Sequence, residues 1–210
     1  MIAIVDYGAG NLTSVRNAFA ALGAETVVAH GAEAVATADR VVFPGVGAAG
    51  KAMENLRSRG LVEAVCRAAA EKPFLGICLG MQILFERTEE DGGVDCLGLL
   101  GGKVARFPDA PGVKVPEIGW NDVEWGSASA KASPFAKAMA DKSADKSGNG
   151  VFYFVHSYYA EIVPETCGVS EYAGVKFTAM TKRGRFWACQ FHPEKSGRVG
   201  LELLKEWLSC

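Results

Sequence analysis

The stretch Pro73-Phe74-Leu75-Gly76-Ile77-Cys78-Leu79-Gly80 decides the fold class. Its apolar run, Pro73 to Ile77, reads as a strand buried on both faces, and Leu79 begins a segment predicted as helix to about Arg87. A cysteine between glycines at a strand-to-helix turn is the thiol counterpart of the G-x-S-x-G nucleophile elbow. Such a turn tolerates little bulk beside the nucleophile, hence Gly76 and Gly80. It presents the thiol at the C-terminal edge of a sheet, over a helix N-terminus that favours thiolate. The same residues also suit a buried cysteine beside glycines needed only for strand–helix packing.

Strands and helices alternate upstream of this turn. Ile2 to Val5, Thr26 to Ala29 and Arg40 to Phe43 are short β-branched runs predicted as strands. A helix capped by Asn11 or Thr13 is expected to run to about Leu22 and to end at Gly23, and two more are expected near 49–58 and 61–71. Pro44-Gly45-Val46-Gly47 reads as a loop. This alternation predicts a parallel sheet with helices on both faces. Downstream, 113–125, 151–162 and 173–191 are strand-like, with a hairpin at 182–185. Gly126 to Gly150 reads as a surface helix plus loop, and 197–208 as an amphipathic helix. The whole is expected to be one α/β domain, 1–210, with antiparallel additions.

Composition narrows the function. Lys plus Arg number 22 and Asp plus Glu 24, so the net charge of −2 gives no basic footprint for nucleic acid. No apolar run approaches the roughly 20 residues of a membrane span. The N-terminus lacks the basic region of a signal peptide, so a cytoplasmic location is expected. None of the six cysteines forms a C-x-x-C pair, which argues for reduced thiols and against structural zinc. No metal or organic cofactor is expected.

A thiol nucleophile needs a base, and the base an orienter. Of His30, His156 and His192, the last lies in Gln190-Phe191-His192-Pro193-Glu194, where Glu194 could hold the imidazole. His30 reads as a surface residue in a polar turn. Taken alone, the H-P-E sequence also fits an exposed turn.

Together G-I-C-L-G-M-Q (76–82) and Q-F-H-P-E (190–194) resemble the class I, or triad, glutamine amidotransferases, with a flavodoxin-like fold. D-Y-G-A-G-N-L (6–12), P-G-V-G (44–47), P-E-I-G-W-N (116–121), F-V-H-S-Y (154–158) and H-P-E-K-S-G (192–197) resemble the glutaminase subunits of imidazole glycerol phosphate synthases. The resemblance implies glutamine hydrolysis through a γ-glutamyl thioester, with Cys78 as nucleophile, His192 as base then acid, and Glu194 as orienter. It implies an oxyanion hole from Leu79 and the Val46–Gly47 region. Glutamine contacts would come from Gly45, Gly47, Gln82, Glu90, His156, Ser157 and Tyr158, with His156 a scaffold residue. It further implies a (β/α)8-barrel cyclase subunit as partner, consuming the ammonia in histidine biosynthesis. Asn11, Trp120, Tyr153 and Lys195 match positions expected near that interface and the ammonia entrance, although Trp120 and Tyr153 also suit core aromatics. Gly45 and Gly47 would let the peptide around Val46 take two orientations, one of them competent. Two positions depart from the pattern: Glu117, where many relatives carry His, and Ala49, where an aromatic is common. Other readings are a triad amidotransferase serving another acceptor, a different cysteine hydrolase, or a silent regulatory relative. The last should have lost Cys78, His192 or Glu194.

Overall fold

The computed structural model describes residues 1–109, 111–126 and 150–210. The expected helix and loop of 126–150 lies outside the described residues, apart from its two ends. Among the described residues a nine-stranded sheet runs in the order β2-β1-β3-β4-β13-β12-β11-β8-β9. Its parallel half comprises β1 (Ile2–Val5), β2 (Thr26–Ala29), β3 (Arg40–Gly45), β4 (Phe74–Cys78) and β13 (Phe186–Cys189). Its antiparallel extension comprises β12 (Val175–Arg183), β11 (Thr166–Tyr172), β8 (Glu117–Trp125) and β9 (Gly150–His156). A second sheet of four strands, β10-β7-β5-β6, joins Tyr158–Ala160, Lys103–Arg106, Arg87–Thr88 and Val94–Asp95.

Strand pleating sorts the core into two layers. On β1, Ala3 and Val5 face one side and Ile2 and Ile4 the other; on β4, Phe74 opposes Leu75 and Ile77. Helices α2 (Ala32–Thr37), α3 (Ala49–Ser58) and α4 (Val62–Glu71) cover the first face. Helices α1 (Leu12–Ala21) and α6 (Gly197–Leu208) cover the second. Both faces are therefore dry, which is why the parallel strands read as unbroken apolar runs. Asn11 caps α1 by accepting from Ser14 N at 3.2 Å, and Gly23 follows it at φ +73°. On α6, Trp207 is fully buried, lies 5.6 Å from the Phe19 ring and donates to Phe74 O. Truncating it to alanine would cost about 3–5 kcal/mol.

Three expectations are corrected. The helix after Cys78, α5 (Leu79–Gln82), is one turn instead of extending to Arg87. The carbonyls of Ile83, Leu84 and Phe85 are taken by the N–H groups of Leu97, Leu99, Leu100 and Gly98 from a crossing segment, so the helix ladder cannot continue. Pro44 and Gly45 belong to β3 rather than to a loop, because Gly45 pairs in register with Cys78. The run 151–162 is broken at Ser157 into β9 and β10, which join different sheets. Helix α2 and strands β5, β6, β7 and β11 have no counterpart in the sequence reading.

Candidate active site

Cys78 ends the central strand β4 with φ +55° and ψ −115°, a strained backbone for a non-glycine residue. Its neighbours are small because there is no room beside it. A Cβ on Gly80 would lie 1.9 Å from Phe43 O, and one on Gly45 would lie 2.3 Å from the Tyr7 hydroxyl. The space constraint at Gly45 differs from the expected conformational one; of the pair around Val46, only Gly47 has positive φ, +96°. With a single turn behind it, Cys78 has local N–H groups nearby but not the dipole of a full helix.

The stronger electrostatic influence is His192. Its Nδ1 lies 2.8 Å from Glu194 Oε1, with the two side chains 4% and 2% exposed. Glu194 Oε2 is buried and has no hydrogen-bond partner, so the carboxylate is directed at the imidazole alone. Burial disfavours the imidazolium, but hydrogen bonds with Cys78 and Glu194, reinforced by their charges, prevail, and His192 is pushed up to about 10. The backbone around this histidine is fastened on both sides. Its N–H donates to Tyr153 O at 2.9 Å, and its carbonyl accepts from Ser196 Oγ at 2.6 Å. Sequentially distant Cys78 and His192 thus meet at the C-terminal edges of neighbouring parallel strands, β4 and β13.

These residues open onto a cleft of about 300 Å³ lined by Val46, Gly47, Cys78, Leu79, Gln82, Glu90, Pro116, Val155, His156, Ser157, Tyr158, His192 and Lys195. All but one of the expected glutamine contacts lie on its wall; Gly45 sits beneath it, paired with Cys78. Glu90 Oε2 accepts the Ala49 N–H at 2.7 Å, so Ala49 serves through its backbone; burial pushes the Glu90 carboxyl up. Gln82 Nε2 donates to Tyr158 O at 2.8 Å and to Gln190 Oε1 at 2.9 Å. Lys195 lies at the rim. Trp120 and Tyr153 stand edge-to-face, 5.8 Å apart, on β8 and β9. Trp120 is 58% exposed, which excludes a core role for it. Asn11 is occupied as a helix cap. His30 is exposed and pairs with Asp6 at 3.0 Å.

The sequence reading missed two neighbours of Cys78. Gln190 is fully buried, with its amide 3.7 Å from Cys78 Sγ. Its position two residues before His192 was the available signal. Tyr7 is also fully buried, its hydroxyl has no hydrogen-bond partner, and its pKa is raised by burial and by the Cys78 charge. Nothing in D-Y-G pointed to it. Among the described residues no group of three or more His, Cys, Asp or Glu is placed to hold a metal ion, and no helix is long and apolar enough to cross a membrane.

The family model for glutamine amidotransferase class-I matches residues 3–208. Over 99% of this chain and 95% of the relative, the sequence is 45% identical to the imidazole glycerol phosphate synthase subunit HisH of Methylococcus capsulatus. The chain is a class-I glutamine amidotransferase of the HisH family. A further HisH subunit, from Dehalococcoides mccartyi, is 43% identical over 99% of this chain and 96% of its own length. The chloroplastic hisHF protein of Arabidopsis thaliana is 41% identical, and there the match covers 99% of this chain but 34% of the longer relative. Among solved structures, a glutamine amidotransferase superposes on this one with a TM-score of 0.69 at 18% identity, covering 100% and 98% of the two chains. PurLQS from Thermotoga maritima does so with a TM-score of 0.64 at 16% identity, covering 99% and 97%. The amidotransferase fold is thus retained where sequence has diverged widely.

Proposed function

We propose that this amidotransferase is the glutaminase half of an imidazole glycerol phosphate synthase, hydrolysing L-glutamine and passing ammonia to a (β/α)8-barrel cyclase subunit in histidine biosynthesis. The observation that carries the reading is the buried Cys78–His192–Glu194 arrangement at the head of the cleft. Cys78 Sγ attacks the carboxamide carbon of glutamine. His192 holds the thiol proton and delivers it to the departing nitrogen, so ammonia leaves and a γ-glutamyl thioester remains. His192 then takes a proton from water as the hydroxide adds to the thioester, and glutamate is released with the thiol restored. N–H groups from Leu79 and the Val46–Gly47 segment meet the developing oxyanion, a contribution of about 3 kcal/mol in comparable sites.

Ammonia in neutral water is mostly ammonium, which is no nucleophile, so a glutaminase that feeds a synthesis works against a second active site. Exposed Ile118, Trp120 and Val151 support docking at β8 and β9. Strand β9 also carries the Tyr153 and Val155 carbonyls that contact His192 N and Cys78 Sγ, so docking there acts on the triad's own support. Asn11, Tyr153 and Lys195 complete the proposed interface and ammonia entrance. The peptide around Val46 adopts its competent orientation when the partner is bound.

Glutamine carrying ¹⁵N in its side-chain amide tests the reading. With the cyclase partner, its nucleotide substrate and an excess of unlabelled ammonium, the label should enter the imidazole product. Unlabelled product under these conditions would refute the transfer.

A further inference from the structure

The structure assigns Gln190 a part in the chemistry: its buried side-chain amide donates to Cys78 Sγ and holds the sulfur as thiolate. The inference deepens the proposed function and rests on Cys78 being its nucleophile. Cys189 pairs with Ile77 where β13 and β4 run parallel, so the residues that follow them, Gln190 and Cys78, stand side by side at the end of the ladder. The Gln190 backbone is fixed there by its N–H, which donates to Ala179 O at 2.8 Å. Its side chain is fully buried, and Nε2 lies 3.7 Å from Sγ, within reach of an N–H···S hydrogen bond.

Which end of the amide faces the sulfur is settled by a neighbour that can only accept. Tyr158 O, a backbone carbonyl, lies 2.8 Å from one end of the Gln82 amide, so that end is Nε2. The same nitrogen lies 2.9 Å from Gln190, whose facing atom must then be the acceptor Oε1, and Nε2 is left for Cys78. Sγ also has a hydrogen bond with His192 and lies 3.8 Å from Val155 O. The Val155 carbonyl can serve a thiol hydrogen but repels a thiolate, whereas the two donors, imidazolium and Gln190, both favour thiolate. In a site this dry a donor to an anion is worth more than the same donor in water. Of the other titratable groups around the sulfur, Tyr7 and Cys189 are kept neutral by burial, the first without a hydrogen bond and the second donating to Gly76 O. Glu194 stands behind the His192 ring, and Glu90 and Lys195 lie on the cleft wall.

The test is the rate at which iodoacetamide alkylates Cys78 as a function of pH in the purified chain, followed by mass spectrometry of the Cys78 peptide. The reagent takes the thiolate, so the rising limb of the profile follows the thiolate fraction and the plateau follows access. Gln190→Met keeps the length of the side chain and removes the donor. On the rising limb its rate should be about tenfold lower at each pH, with the plateau within about threefold of wild type. If Gln190→Met does not fold, Gln82→Met/Gln190→Met decides, because it leaves neither amide buried without its partner. Tyr158 O then keeps His156 Nδ1 at 2.8 Å, on a ring whose Nε2 lies 2.9 Å from Glu117 Oε2 across β8 and β9. The same fall of about tenfold is expected in the double variant. A limb that stays in place, or a fall confined to the plateau, would overturn the inference; a purely structural role would lower the melting temperature and leave the limb unmoved. Glutamine turnover by the wild-type complex is a separate readout: its absence would strike the proposed function, while the limb would still decide on Gln190.

Discussion

Replacing Glu194 with Gln keeps the shape of the His192 partner and removes its charge. The amide oxygen can still accept from Nδ1–H, so the ring stays where it is. What changes is the stability of the imidazolium. His192 rises from 6.5 to about 10 in the folded protein, which corresponds to roughly 5 kcal/mol in favour of the charged ring. Cys78 and Glu194 both contribute, and exchanging the charged acceptor on Nδ1 for a neutral one removes about 2–3 kcal/mol of that, the scale of a hydrogen bond to a charged group. A loss of about 2–3 kcal/mol slows kcat about 30- to 150-fold. The protonated ring, which in the proposed mechanism gives its proton to departing ammonia, is lost as pH rises through the folded-state value. The basic limb of the kcat profile, near 10 in the wild type, should therefore move to lower pH by about 1.5 to 2 in the variant. The assay is glutamate release at saturating glutamine from pH 6 to about 10.5, in complex with the cyclase partner. A kcat within about threefold of wild type with an unmoved basic limb would refute the electrostatic role and leave Glu194 a spacer.

Gly80→Ala forces a Cβ to 1.9 Å from Phe43 O, a backbone atom of the neighbouring strand; it should cost at least about 3 kcal/mol in urea unfolding and abolish turnover. Tyr7→Phe removes a buried hydroxyl without a partner and should raise stability by about 1 kcal/mol, seen as a melting temperature about 2–4 °C higher. Asn11→Ala deletes the cap of α1 and should cost about 1 kcal/mol. Iodoacetamide near neutral pH should label Cys78 fast and exposed Cys210 slowly. Buried Cys167, pushed up to about 12, and fully buried Cys189 should stay unmodified until the protein unfolds, as peptide mass spectrometry would show.

The parallel strands were legible because burial on both faces leaves a continuous apolar run, and the bounds of β1 and β2 match the reading residue for residue. The meeting of Cys78, His192 and Glu194 was legible because an elbow cysteine ends one strand and an H-P-E segment follows another, although nothing local says that the two strands are neighbours. Elements whose cause is non-local were not. The early end of α5 is imposed by N–H donors from residues 97–100, and Met81 to Arg87 carries no breaker that would announce it. Thr166–Tyr172 mixes Gly, Ser and Cys and becomes strand β11 because β12 and β8 flank it. Gln190 could have been found by extending the two-residue period back from His192. The Glu117–His156 contact depends on the register of β8 against β9, which no spacing along the chain discloses.

The most direct test of the account is glutamate release from glutamine by the purified chain. It would be measured alone and with the (β/α)8-barrel subunit and its nucleotide ligand, with Cys78→Ala as the control. The account predicts slow release alone, strong activation by the partner, and no release from the variant. Release that persists in Cys78→Ala would contradict the assignment of the nucleophile, and equal rates with and without the partner would contradict the coupling.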